Sequence, residues 1–160
     1  AVAAISWPVI AVALAVALVA AFAIANNVKV GEWTEALQDT FTDADGSINW
    51  ASGDIRSMLV RSTYAFDAAD KFVSDLGSVD NGRSVALTSK TVTNGVCDAA
   101  DTTLAAAGGV ACDKIVLFQH TGNDTTARLI CSIDQPAFTP AAAQTVNIAF
   151  DNGPNKIFKL

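Results

Sequence analysis

The chain has 160 residues, enough for one domain with a real core, and carries 10 basic against 16 acidic side chains for a net charge of −6. The basic residues are scattered singly, which argues against a nucleic-acid partner, since phosphate binding needs clustered Lys and Arg. One histidine, three cysteines and no CxxC spacing argue against a zinc site as well.

The charge is unevenly spread. The first charged residue is Lys29, so all 26 charges lie behind an uncharged stretch. Within that stretch "PVIAVALAVALVAAFAI" (8–24) holds no charge, amide or hydroxyl. Its length and its Ala and Leu content favour a helix, with Ser6 as N-cap, Pro8 in the first turn and Asn26-Asn27 as the stop. The same run also alternates by two, with Ala11, Ala13, Ala15 and Ala17 set against Val12, Leu14, Val16 and Leu18, which is strand periodicity. No Lys or Arg precedes it, as a secretory signal would want. The length suffices for a bilayer. Its many alanines suit close packing of neighbouring backbones as well as they suit lipid. The expected division is an apolar N-terminal helix or arm over residues 1–27 and an acidic β-rich domain over 28–160. Membrane contact through residues 8–24 before assembly is part of that expectation.

In "VKVGEWTEALQDTF" (28–41), Trp33, Ala36, Leu37 and Phe41 fall at helical spacing, so a short amphipathic helix is expected over 32–40. "TDADGSINWASGD" (42–54) reads as a loop. Asp43, Asp45 and Ser47 alternate as in a calcium loop. However, Gly46 comes too early and the twelfth position is Asp54 rather than Glu, so a plain solvated loop is expected.

From there on the pattern is β. "IRSMLVRSTY" (55–64), "SVALTSKTVTNG" (84–95), "KIVLFQH" (114–120), "ARLICSID" (127–134), "TVNIAFD" (145–151) and "NKIFKL" (155–160) are strand candidates rich in Val, Ile, Thr and Phe. "AFDAADKFVSDLG" (65–77) reads as a short helix or an irregular excursion. Asn81-Gly82, Asn94-Gly95 and Asn152-Gly153 carry the type I′ turn signature, and the last predicts a terminal hairpin. "HTGNDTTA" (120–127) predicts another hairpin. The fold class expected is mainly β, an antiparallel sandwich or small barrel with the apolar arm and the short helix attached.

The chemistry of an enzyme is not visible. There is no GxSxG, P-loop or GxGxxG, and His120 at a strand end reads as a surface residue. The spacing "DAAD" occurs at Asp67–Asp70 and Asp98–Asp101, where each pair reads as a strand end or turn cap. Cys97, Cys112 and Cys131 are expected as buried free thiols, with a single disulfide as the alternative. No catalytic, cofactor or metal residue is assigned.

"SKTVTNGVCDAADTTL" (89–104) resembles a run in small structural proteins of tailed phages. "DIRSMLVRSTYAFDAADKFVSDLG" (54–77), "VLFQHTGNDTTARLICSID" (116–134) and "FDNGPNKIFKL" (150–160) look like that family's opening strand, central hairpin and final hairpin. The resemblance covers about residues 26–160, with Cys97 where the family has an aromatic residue and the first 25 residues as an extension. It implies a non-enzymatic virion component. The expected role is a capsid decoration or cement protein whose partners are copies of itself and a major capsid protein, with the arm packed between subunits. The alternative is a pilin-like extracellular filament subunit with the apolar helix in the filament core.

Overall fold

A computed structural model describes residues 12–13, 19–23, 31–32, 48–153 and 156–159. The described part is mainly β, in three sheets, none of them closed.

The strands are β1 (Val12–Ala13), β2 (Val19–Ala23), β3 (Gly31–Glu32), β4 (Ile55–Arg61), β5 (Asp80–Arg83), β6 (Thr91–Thr93), β7 (Val96–Asp98), β8 (Thr102–Ala105), β9 (Cys112–Gln119), β10 (Arg128–Phe138), β11 (Thr145–Ala149) and β12 (Phe158–Lys159). The largest sheet runs β3-β10-β9-β4-β5, every neighbour antiparallel. The second runs β1-β2-β11-β8, and the third β12-β7-β6.

The centre of the large sheet is apolar on both faces, which explains the unbroken "IVLF" of β9, buried throughout. Ile55, Leu59, Ile115, Leu117, Cys131 and Ile133 face the second sheet and meet Leu104, Val146 and Ile148. Met58, Val60, Val116, Phe118 and Leu129 face the other way. There a 3-10 turn, Val73–Leu76, covers them with Val73 and Leu76, aided by Tyr64. This turn is the excursion expected over 65–77. Asp75 fixes its start by accepting from the backbone N–H groups of Lys71 and Phe72, both at 2.9 Å.

Two of the expected hairpin signals hold. Asn94 and Gly95 both take positive φ, 51° and 77°, and join β6 to β7 as the type I′ geometry requires. The 120–127 segment joins β9 to β10, with Asn123 Oδ1 accepting from Thr125 N–H at 3.0 Å.

The other two are corrected. Asn81-Gly82 lies inside β5, not at a turn. Asn81 is fully buried and its side chain bonds across to Cys112 and Gly108, while Gly82 lies against the backbone of Ala105. Glycine is needed there for close approach. Asn152-Gly153 does not form a terminal hairpin, and Gly153 has no positive φ. Both edges of β11 are taken, by β2 and β8, so β12 pairs with β7 instead. Ile157 is buried beside it, its N–H donating to Cys97 O at 3.1 Å.

Of the apolar run at 8–24, the described pieces are β1 and β2, both strand; β1 lies within the stretch that alternates by two and β2 lies beyond it. The rest of that run lies outside the described residues. Of the helix expected at 32–40, Glu32 ends β3, and residues 33–40 lie outside the described residues. Among the described residues no helix is long and apolar enough to cross a membrane.

Candidate functional site

The two large sheets join at one side and stay open at the other. The joined side is a seam between β5 and β8. Ser84 bridges Leu104, Ala107 N–H donates to Asn81 O at 2.9 Å, and Gly108 N–H donates to Asn81 Oδ1 at 3.0 Å. Asn81 Nδ2 donates to Cys112 Sγ at 3.0 Å. This one buried amide thus ties the β5 edge to the chain after β8 and to the start of β9.

The open side is lined by β10 and β11, and strands from the first 32 residues occupy both edges. β3 adds to β10 antiparallel, Glu32 opposite Cys131 and Gly31 opposite Ser132. β2 adds to β11 in parallel over five residues, from Val19 opposite Thr145 to Ala23 opposite Ala149. This is the one parallel pair among the described strands. On its other side β11 is set antiparallel to β8, Asn147 opposite Thr103. β11 buries Val146 and Ile148 in the core while Asn147 stays half-buried. The edge that β2 occupies is therefore held in fixed register by the body of the domain.

A lattice of charge stands at the β4–β5–β9 end. Arg83 reaches Asp124 with both terminal nitrogens, at 2.7 and 2.8 Å, and Asp80 through Nε. Its guanidinium also lies 5.4 Å from the Phe118 ring centre. These bonds, that of Asp124 foremost, push the Arg83 pKa further up, and the Arg83 hydrogen bonds hold Asp124 below its usual value. Arg56 does the same for Asp54, at 2.7 and 2.9 Å. Arg83 thus serves two carboxylates and Arg56 one, the arrangement of a positioning network.

His120 sits beside this lattice. Its backbone N–H donates to Asp54 O at 2.7 Å, and its ring meets Phe118 edge-on at 6.3 Å. It is half-buried rather than a free surface residue, as the sequence had suggested. The "DAAD" carboxylates are spent on contacts within the fold, some local and some long-range. Asp67 accepts from Ala69 N–H, Asp70 from the Tyr64 hydroxyl at 2.6 Å, Asp98 from Ala99 N–H, and Asp101 from Phe150 N–H at 2.9 Å. The calcium-like residues Asp43, Asp45, Gly46 and Ser47 lie outside the described residues, and Asp54 is engaged by Arg56. Among the described residues no group of three or more His, Cys, Asp or Glu side chains is placed to hold a metal ion.

All three cysteines are free and buried. Burial raises the Cys97 pKa to about 11 and raises those of Cys112 and Cys131 also, the last aided by nearby Cys97. Such thiols are packing groups, poor as nucleophiles. The β5–β8 seam and the parallel β2–β11 pair were missed from sequence; only the alternation at 11–18 pointed toward strands there.

No family model, curated protein or solved structure matches the chain.

Proposed function

We propose that the protein is a non-enzymatic structural subunit that assembles with copies of itself. In its most concrete form this is the capsid decoration or cement protein of a phage particle, seated on a major capsid protein. The observation that supports it is where the uncharged N-terminal stretch goes. Its described strands, β1 and β2, extend an open sheet edge of the domain. An apolar segment that works through backbone pairing is an assembly device, since exposed strand edges template further pairing. The phage identity rests on the resemblance of residues 54–77, 89–104, 116–134 and 150–160 to small phage structural proteins, and the extension beyond them on the arm. The pilin-like filament requires the run to form a helical core. The strand conformation of β1 and β2 weighs against it.

The test is a chain starting at Asn27, compared with the full chain by sedimentation and by binding to particles that lack the protein. The shortened chain keeps a β-rich far-UV spectrum and fails to assemble or to protect particles against heat. His120→Ala in the full chain leaves both properties unchanged. Equal occupancy and protection by the shortened chain would overturn the reading.

A further inference from the structure

We infer that β2 is an exchangeable strand: in the assembled protein, Val19–Ala23 of one copy occupies the β11 edge of a neighbouring copy. This rests on the assembly reading above and names the contact that carries it.

Four observations lead there. First, the acceptor is complete without its own β2. β4 through β11 pair among themselves, and β8 fixes the register of β11 from the far side. Every copy therefore presents the same edge, and the same backbone bonds form whichever copy supplies the strand. Exchange of an identical element is a low-cost route to association.

Second, the donor lies far from its acceptor in sequence, with Val19 opposite Thr145. The closure of so long a loop adds little to the intramolecular state over a neighbour held nearby at high effective concentration.

Third, the tether permits it. Seven residues, 24–30, separate β2 from β3. Fully extended, they and their flanking bonds reach about 26 Å. β3 itself is held by two residue pairs.

Fourth, the single chain leaves a poor edge. The outermost strand of the second sheet is β1, drawn from a stretch with no charged residue before Lys29. Natural edge strands are guarded by charge, proline or a bulge. Because β1 pairs with β2, it would travel with the exchanged strand, and no charge on either would oppose their seating against another copy.

The experiment uses the full chain with Ala21→Cys and Asn147→Cys, the two positions that face each other in the β2–β11 register. Neighbouring strands lie about 4.8 Å apart, within disulfide reach. Asn147 is half-buried, so the change spares the core. The assembled fraction is isolated by size, oxidised mildly and run without reductant. A ladder of linked multimers is expected. A mixture of mass-tagged A21C and untagged N147C single variants should give the mixed dimer at least about tenfold above an A21C mixture with Thr93→Cys, on the exposed β6. If the assembled double variant yields only internally bridged monomers, and the mixture no dimer above that background, strand exchange is overturned while the assembly reading stands. If no assembled fraction exists, both fall. The single-variant mixture guards against a double variant that does not fold.

Discussion

Gly82→Ala should open the seam that joins the two large sheets. A Cβ built on Gly82 would lie 2.4 Å from the carbonyl oxygen of Ala105, 3.1 Å from Leu104 Cδ1 and 3.2 Å from Ala105 C. The nearest atom is backbone, so it cannot swing aside, and a normal carbon–oxygen contact requires the strands to part by nearly 1 Å. Gly82 also has φ of +133°, a conformation in which an L side chain is strained by about 1–3 kcal/mol. Parting β5 from β8 weakens the bonds that Ala107 and Gly108 make to Asn81, each worth about 1 kcal/mol. The sum is a loss of about 3–5 kcal/mol. Gly109→Ala is the control: φ is +75° there, with nothing within 4 Å of the added carbon, so the backbone cost stands alone at about 1 kcal/mol. Urea denaturation followed by far-UV circular dichroism reads both. If Gly82→Ala unfolds at the same urea concentration as Gly109→Ala, the seam is not closed as described and the steric reasoning is wrong.

Asp124→Asn should cost about 0.5–1 kcal/mol at pH 7, because the Arg83–Asp124 pair is partly exposed. The Asp124 pKa is lowered in the fold, so the pair's contribution is complete above the unfolded value of 3.8 and is lost as pH falls through the lower folded value. Urea midpoints of parent and variant should therefore differ at pH 7 and converge as pH falls below 3.8 through the lower folded value, and a constant gap would refute the electrostatic account. The Cys97 thiol, near 11, should carry roughly 100-fold less thiolate at pH 7.5 than a cysteine at the ordinary value of 9.0. Mass spectrometry after alkylation should find Cys97, Cys112 and Cys131 unmodified until denaturant is added, and unlinked without reductant. Rapid labelling of any of them in the folded chain would contradict their burial. Ile157→Ala should cost about 2–5 kcal/mol by leaving a cavity where β12 meets Cys97. A urea midpoint unchanged from the parent would mean that the C-terminal strand is not docked.

The legible part of the fold was the part whose burial is uniform. "KIVLFQH" and "ARLICSID" are read as strands because a sheet buried on both faces demands unbroken β-branched and aromatic residues. Asn94-Gly95 was legible because the turn needs two positive φ values in succession and few other residue pairs supply them. The same dipeptide misled at Asn81-Gly82. There the amide serves a buried hydrogen-bond network and the glycine a close backbone crossing, and both needs arise from residues 23 to 31 positions away. β5 and β8, "DNGR" and "TTLA", carry no apolar run and were not seen. β12 was seen as a strand but given the wrong partner, because the local turn signal says nothing of β11 already being flanked on both sides. The charge lattice was equally hidden: nothing in the spacing of Arg83 and Asp124 announces that they meet.

The two routes into the N-terminal run illustrate why propensity alone cannot decide it. Alanine and leucine favour a helix by a few tenths of a kcal/mol per residue in isolation. A strand added to a waiting edge gains backbone bonds that an isolated segment does not have, and β11 offers that edge with its register already fixed. The competition therefore depends on whether an acceptor edge is present, and the acceptor is a property of the folded domain rather than of residues 8–24. If strand exchange holds as proposed, the assembly interface is written as backbone geometry, with no charged or catalytic side chain needed to specify it. Specificity then comes from register: five consecutive residue pairs in the parallel sense between β2 and β11, bounded on the far side by β8.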